Sequence, residues 1–148
     1  MTARRLFVDT SGWFSILVAK DPHHAETASV YADVLRSGGT LVTTSLILGE
    51  LYTLLSVRLK NAAAFWSFKE LLTASKRVHI AHVQPEHVER AFDLLSRRAD
   101  QSYSFVHATS FVFMRSEDIQ TALALDKHFV QEGFVVLPSF ASMVHERP

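Results

Sequence analysis

The chain contains no cysteine. This excludes a disulfide scaffold, a thiol nucleophile, an iron–sulfur cluster and a Cys-ligated zinc site. Glycine (5) and proline (4) are scarce, and no repeat, linker or low-complexity stretch stands out. Neither sign of charge is in excess, since 15 Lys and Arg balance 15 Asp and Glu. That balance argues against a uniformly basic nucleic-acid binder and leaves room only for a local basic patch. Long apolar runs are missing too. The best stretch, Leu46 to Leu59, is broken by Glu50 and Arg58 and falls short of the ~18 residues of a membrane span. The start, Met1-Thr2-Ala3-Arg4-Arg5, has the charge of a signal-peptide leader. However, Asp9 interrupts the apolar stretch behind it and no small-residue cleavage site follows. The expectation is a cytoplasmic protein without a membrane partner.

What is present fits one domain over 1–148. The length is 148 residues, 48% hydrophobic and 20% charged, enough to bury roughly 70% of the unfolded surface. Apolar runs of strand length occupy 5–8, 41–43, 78–83, 121–125 and 134–137. Between them lie segments with helical spacing or helix-start signals: Thr10 or Ser11 to Leu17, 23–36 (stopped by Gly38-Gly39), 46–59, 61–75, 85–98 from Pro85, 104–115, and a short turn before Gly133. Strands alternating with helices predict an α/β layer fold with a mainly parallel sheet.

In such sheets ligands sit beyond the carboxyl ends of the strands, where strand order reverses. Asp9 ends the first expected strand and Asp126 the fourth. Each also has a purely structural reading, Asp9 as a helix cap and Asp126 as a turn residue. Glu50 interrupts an apolar helix beside Gly49, a residue that costs ~1 kcal/mol there against alanine and would admit another backbone at close range. Asp100 follows Arg97-Arg98 and reads equally as a solvated loop charge. None of these acids is a sequence neighbour of another. If they converge, mutual repulsion demands a divalent cation, and carboxylate oxygens favour Mg2+ or Mn2+. Such a site suits phosphodiester hydrolysis.

Four runs then stand in order over nearly the whole chain: Val8-Asp9-Thr10-Ser11, Leu48-Gly49-Glu50-Leu51, Asp100 with Ser104-Phe105-Val106-His107-Ala108-Thr109-Ser110-Phe111, and Leu125-Asp126-Lys127-His128-Phe129. Together they resemble the PIN-domain ribonucleases, and most closely the VapC-type toxins of toxin–antitoxin pairs. The resemblance implies a three-layer α/β/α sandwich and a metal-dependent endoribonuclease, the toxin of a type II pair. It also implies an RNA substrate, a cognate antitoxin and a homodimer. Asp9 and Asp126 would hold the metal directly. Glu50 would hold metal or orient the attacking water, and Asp100 would act through water. Thr10 or Ser11 would add a hydroxyl or orient Asp9.

One position departs from the family pattern Ser-Phe-x-Asp-Ala, which places an acid where this chain has His107. With Ser104 as helix cap, His107 occupies the third helical position, where an acid would favour the helix dipole. An imidazole is a poorer ligand for Mg2+ than a carboxylate, though it can ligate Mn2+ or exchange a proton near neutral pH. Three readings stay open: a weakened or inactive nuclease, an active one that uses His107 or recruits Asp100, or a change away from an acid. The alternative function is a catalytically silent PIN fold that binds antitoxin or RNA.

Other signals carry less. His79 and His82 would face opposite sides of a strand, and His23-His24 reads as a solvated pair. Phe65, Trp66 and Phe68 read as core, with any exposed part available to a second copy or an antitoxin segment. Arg97, Arg98, Arg115 and Lys127 flank the acids in sequence and are either solvated or phosphate contacts.

Overall fold

Arg5 is exposed, while Leu6, Phe7 and Val8 after it are fully buried. Such a short apolar run has both faces covered, as a central parallel strand requires. The structure is a computed structural model that describes residues 4–139. The Met1-Thr2-Ala3 start and positions 140–148 of the expected domain lie outside the described residues. The elements are β1 (Arg5–Val8), α1 (Thr10–Leu17), α2 (His24–Arg36), β2 (Thr40–Thr44), α3 (Ser45–Thr53), α4 (Ala62–Ala74), β3 (Val78–Ala81), α5 (Pro85–Arg97), α6 (Phe105–Ser116), β4 (Thr121–Leu123), α7 (His128–Gln131) and β5 (Val135–Leu137).

All pairings are parallel and the strand order is β3-β2-β1-β4-β5. The chain therefore builds outward from β1 to β3, then crosses back to add β4 and β5 on the other edge. Order reverses between β1 and β4, which pair directly through Val8 and Leu123. Helices α1, α2, α3 and α4 contact one another, and α5 and α6 pack as a separate pair. Phe7 meets Phe113 of α6 and Phe129 of α7. Trp13 meets Tyr31 of α2 and, edge-on at 5.1 Å, Phe68 of α4. The expected helix–sheet–helix layering is thus realised. Among the described residues no helix is long and apolar enough to cross a membrane.

Trp13 also locks the sheet end to the first helix. It is fully buried, and its indole N–H donates to Thr43 Oγ1 at 3.1 Å. Thr43 donates in turn to the Val8 carbonyl at 3.1 Å. A buried indole N–H without such a partner would be costly. This chain of bonds ends one residue before Asp9.

Three expectations need correction. The helix over 46–59 is not continuous: after α3 the backbone opens into a π-helical stretch, Leu54–Arg58, with Leu59 N–H reaching the Leu54 carbonyl. The third strand ends at Ala81 and the fourth at Leu123, so Asp126 stands beyond its strand and not at its end. Finally, Gly49 admits no neighbour, since a Cβ there would meet nothing within 4 Å. The close approach is at Gly12, where a Cβ would lie 2.5 Å from the Leu123 carbonyl oxygen. Only glycine lets α1 seat against the end of β4.

Candidate metal centre

Asp9 is the residue between β1 and α1. Its N–H bonds the Leu123 carbonyl at 3.1 Å, which extends the β1–β4 ladder by one residue. Its backbone is extended, and its side chain makes no capping bond to α1, so the capping reading fails. The side chain is instead buried at the sheet end, 2% exposed. Ser11 holds it there by donating to Asp9 Oδ2 at 3.0 Å while accepting from Leu125 N–H at 3.0 Å. One hydroxyl thereby fastens the segment carrying Asp9 to the segment carrying Asp126. Thr10 lines the same cavity, and its Oγ1 is buried without a hydrogen-bond partner among the described residues.

Asp126 is fixed from two sides. Oδ1 accepts from His128 N–H at 3.0 Å, and Oδ2 lies 3.1 Å from His107 Nε2. His107 is the third residue of α6. Ser104 caps the helix by accepting from His107 N–H at 3.0 Å, and His107 Nδ1 accepts from Ser104 N–H at 3.3 Å. The cap expected at Ser104 therefore forms, with imidazole in the place usually taken by Glu or Gln. With Nδ1 accepting, the neutral ring carries its proton on Nε2 and donates it to Asp126. The His128 ring packs against His107, centroids 4.9 Å apart.

One ligand atom each from Asp9, His107 and Asp126 lie within 4.8 Å of one another. Burial drives the Asp9 carboxyl up from 3.8 to about 6, and the charge of Asp126 adds to the rise. Burial would also raise Asp126, but the hydrogen bond and charge of His107 outweigh it and hold that carboxyl below its usual range. Burial would lower His107. The bond to Asp126 and the charges of Asp9, Asp126 and Glu50 overcome this and raise it. Asp9 Oδ1 has no hydrogen-bond partner among the described residues although fully buried. A buried carboxylate oxygen left bare beside a second carboxylate is the arrangement a cation relieves. Two carboxylates within this span fit a divalent ion, and the imidazole beside them would add a ligand only by giving up its bond to Ser104 or to Asp126.

These three residues open into a cavity of about 410 Å3 that Glu50, Asp21 and Arg58 also line. Glu50 forms part of the wall from α3 and is not within the close group of three. Asp100 is not among the residues that line the cavity. That residue is exposed in the turn after α5 and absent from the cavity wall, and its charge acts on Arg98.

The expected phosphate-contacting arginines are engaged elsewhere. Glu132, its side chain 2% exposed, accepts from Arg98 Nε at 2.9 Å, Arg115 Nη2 at 3.0 Å and Tyr103 Oη at 2.7 Å. Arg97 pairs with Asp93 at 3.0 Å, and Lys127 is exposed outside the cavity. His23 and His24 are not a solvated pair either, being half-buried on Glu26 and the Ser15 carbonyl. Sequence reasoning missed Arg58 and Asp21 as cavity residues. Arg58 had the same signal as Glu50, a charge interrupting an apolar helix. Asp21 accepts from Ser15 Oγ and His23 N–H, a turn role that local sequence does not separate from a site role. Of the aromatic cluster, Phe65 and Phe68 are core while Trp66 is 55% exposed.

Comparison with known proteins agrees with this fold. The family model described as "PIN domain" matches residues 6–134. Two relatives, each named "23S rRNA-specific endonuclease VapC20", come from Mycobacterium tuberculosis strains CDC 1551 / Oshkosh and ATCC 25618 / H37Rv. Each is 36% identical over 130 residues, covering 88% of this chain and 95% of the relative. The crystal structure of Mycobacterium tuberculosis VapC20, described as a Sarcin-Ricin loop cleaving toxin, superposes with a TM-score of 0.79. The identity is 35%, over 88% of this chain and 96% of that one.

Proposed function

The chain belongs to the PIN-domain family and is a nuclease homologous to the VapC-type toxins; on that premise we propose that it is an endoribonuclease dependent on Mg2+ or Mn2+, the toxin of a type II pair. The observation that supports this best is the grouping of buried Asp9, whose Oδ1 has no partner among the described residues, with Asp126 and His107 at the β1–β4 reversal. Asp9 and Asp126 would hold the metal, with Glu50 holding it or orienting water from the opposite wall. When bound, a divalent cation neutralises the carboxylates and stabilises the negative charge that builds on a phosphodiester under attack by water. Ser11 keeps Asp9 in register with the segment after β4. The His128 N–H and the His107 ring fix the Asp126 carboxylate. Asp100 would enter only through water or through movement of its turn.

The relatives act on 23S rRNA by name, which supports that RNA as the first substrate to test and the cytoplasm as the proposed place of action. The partner would be an antitoxin, with a homodimer as the family resemblance implies. A groove of about 590 Å3, lined in part by Leu48, Tyr52, Phe65, Trp66 and Ile80, offers an apolar surface for such a segment. The deciding experiment measures cleavage of 23S rRNA with Mg2+, with Mn2+ and with chelator, for this chain, Asp9→Asn and His107→Asp. Metal-dependent cutting that Asp9→Asn abolishes is expected. Cutting that survives Asp9→Asn sinks the assignment.

One observation favours a second reading. His107 Nε2 occupies an Asp126 oxygen that an ion would otherwise use. On that reading the fold is silent and binds antitoxin or RNA without cutting, and only His107→Asp would cleave.

A further inference from the structure

We propose that Arg58 binds a backbone phosphate of the RNA strand lying over the acidic centre, and so sets where the strand enters the cavity. The inference rests on the RNA-processing function proposed above. Among the described residues four carboxylates line the cavity, those of Asp9, Asp21, Glu50 and Asp126, and Arg58 is the one Lys or Arg on its wall. Despite that company, no salt bridge, hydrogen bond or ring contact of Arg58 with another described residue exists. The Arg4 and Arg90 side chains likewise have no partner among the described residues but do not line this cavity, and several other arginines are committed. Arg77 donates to the Gly39 and Leu35 carbonyls, Arg97 pairs with Asp93, and Arg98 and Arg115 share Glu132. Arg58 is exposed and its guanidinium keeps its donor fork free, the geometry that suits a phosphate oxygen pair.

The backbone that delivers it is unusual in its own right. Regular α geometry stops at Thr53, and the π-helical stretch ends on Arg58 itself. Asn61 N–H then returns to the Leu55 carbonyl at 2.8 Å, and Lys60 takes a left-handed φ of 52°. A non-glycine residue in that region is strained, and π-helical turns gather at functional sites. The sequence here, Ser56-Val57-Arg58-Leu59-Lys60, contains neither glycine nor proline to account for the departure. Electrostatics supplies the reason a cation is wanted at this place. A strand of phosphates approaching this cavity meets four carboxylates, and a guanidinium on the wall offsets part of the repulsion while positioning one phosphate.

The test uses the full chain and a fluorescein-labelled RNA stem-loop of 23S rRNA sequence. Arg58→Ala, Arg58→Lys and, as a remote surface control, Arg36→Ala are compared with the unaltered protein. Three readings are taken: RNA binding by anisotropy against salt, cleavage kinetics, and Mn2+ affinity by calorimetry without RNA. Arg58→Ala is expected to weaken RNA binding and raise KM by about 10-fold or more, and to lower the salt slope by about 0.7. Its Mn2+ affinity and kcat should stay nearly unchanged. Arg58→Lys should recover part of the binding, because it keeps the point charge and loses the fork, and Arg36→Ala none of the effect. Unchanged RNA binding in Arg58→Ala, or a tightened Mn2+ affinity with KM unmoved, overturns the proposal. The second outcome would make Arg58 a counter-charge to the acids. If the unaltered protein binds RNA but never cuts it, the nuclease reading fails while the loss in Arg58→Ala still upholds this one. If it binds no RNA at all, both fall.

Discussion

Replacing Asp9 by Asn should make the metal-free protein more stable while removing its activity. Asp9 is 2% exposed, and burial with the Asp126 charge raises its carboxyl from 3.8 to about 6. At ~1.4 kcal/mol per tenfold change in ionisation constant, that rise costs the folded state about 3 kcal/mol once the group is ionised. Asparagine carries no charge, and its amide can still accept from Ser11. Its own desolvation reduces the gain, so we expect 1–3 kcal/mol by this reckoning, or roughly 3 °C in Tm per kcal/mol for a domain of this size. The sign over pH follows from a folded-state value above the unfolded one. Below about 3.8 the group is protonated in both states and the variant has no advantage. The advantage grows through the interval up to about 6 and is complete above it. Metal should invert the order. A ligand at 100 times its Kd adds ~2.7 kcal/mol to the protein that binds it, so the unaltered chain should draw level with Asp9→Asn as Mn2+ rises. The assay is thermal melting in chelator and across a Mn2+ series, from pH 4.5 to 8. An Asp9→Asn protein that melts lower than its parent in chelator at pH 7.5, or by the same margin at every pH, would refute the argument.

Two glycines should respond oppositely. Gly12→Ala drives a methyl against the Leu123 carbonyl at 2.5 Å, with an expected loss of about 1–3 kcal/mol from overpacking and weaker Mn2+ binding as Asp9 and Asp126 separate. Gly49→Ala meets nothing within 4 Å and should gain up to ~1 kcal/mol; chemical denaturation distinguishes the two. Glu132 lies below the usual carboxylate range: burial would raise it, but bonds from Tyr103, Arg115 and Arg98 prevail. Its stabilisation is therefore present above pH 4.5 and lost as pH falls through its lower folded-state value. Glu132→Gln should melt below its parent at pH 7 and converge with it in acid, and a gap independent of pH would contradict this. His107→Asp brings a third carboxylate to the centre, so it should lower stability in chelator and tighten Mn2+ binding by calorimetry. Unchanged affinity would remove His107 from the metal centre.

The frame was legible because its signals are local. Apolar runs of strand length, the Ser104 cap and the Gly38-Gly39 stop each act within a few residues. Asp9 and Asp126 could be singled out because a parallel sheet concentrates chemistry at its strand ends. Their meeting could not be read from spacing, since it depends on β4 pairing with β1. Arg98 and Arg115 looked free because their partner, Glu132, lies far along the chain from both. The π-helical stretch has no residue signature here, so a pattern of leucines at helical spacing continued through it. Gly49 drew attention as a helix glycine, whereas Gly12 matters through a contact with a strand more than a hundred residues away.

The cleft owes its existence to chain direction. Neighbouring β1 and β4 send their following segments apart, and Ser11 pins the two departure points together. Removing a carboxylate should therefore disarm the protein without erasing the hollow. An inactive Asp9→Asn protein should be a well-shaped trap, suited to capturing an uncut transcript for crystallography or to fishing the physiological target from a cell extract.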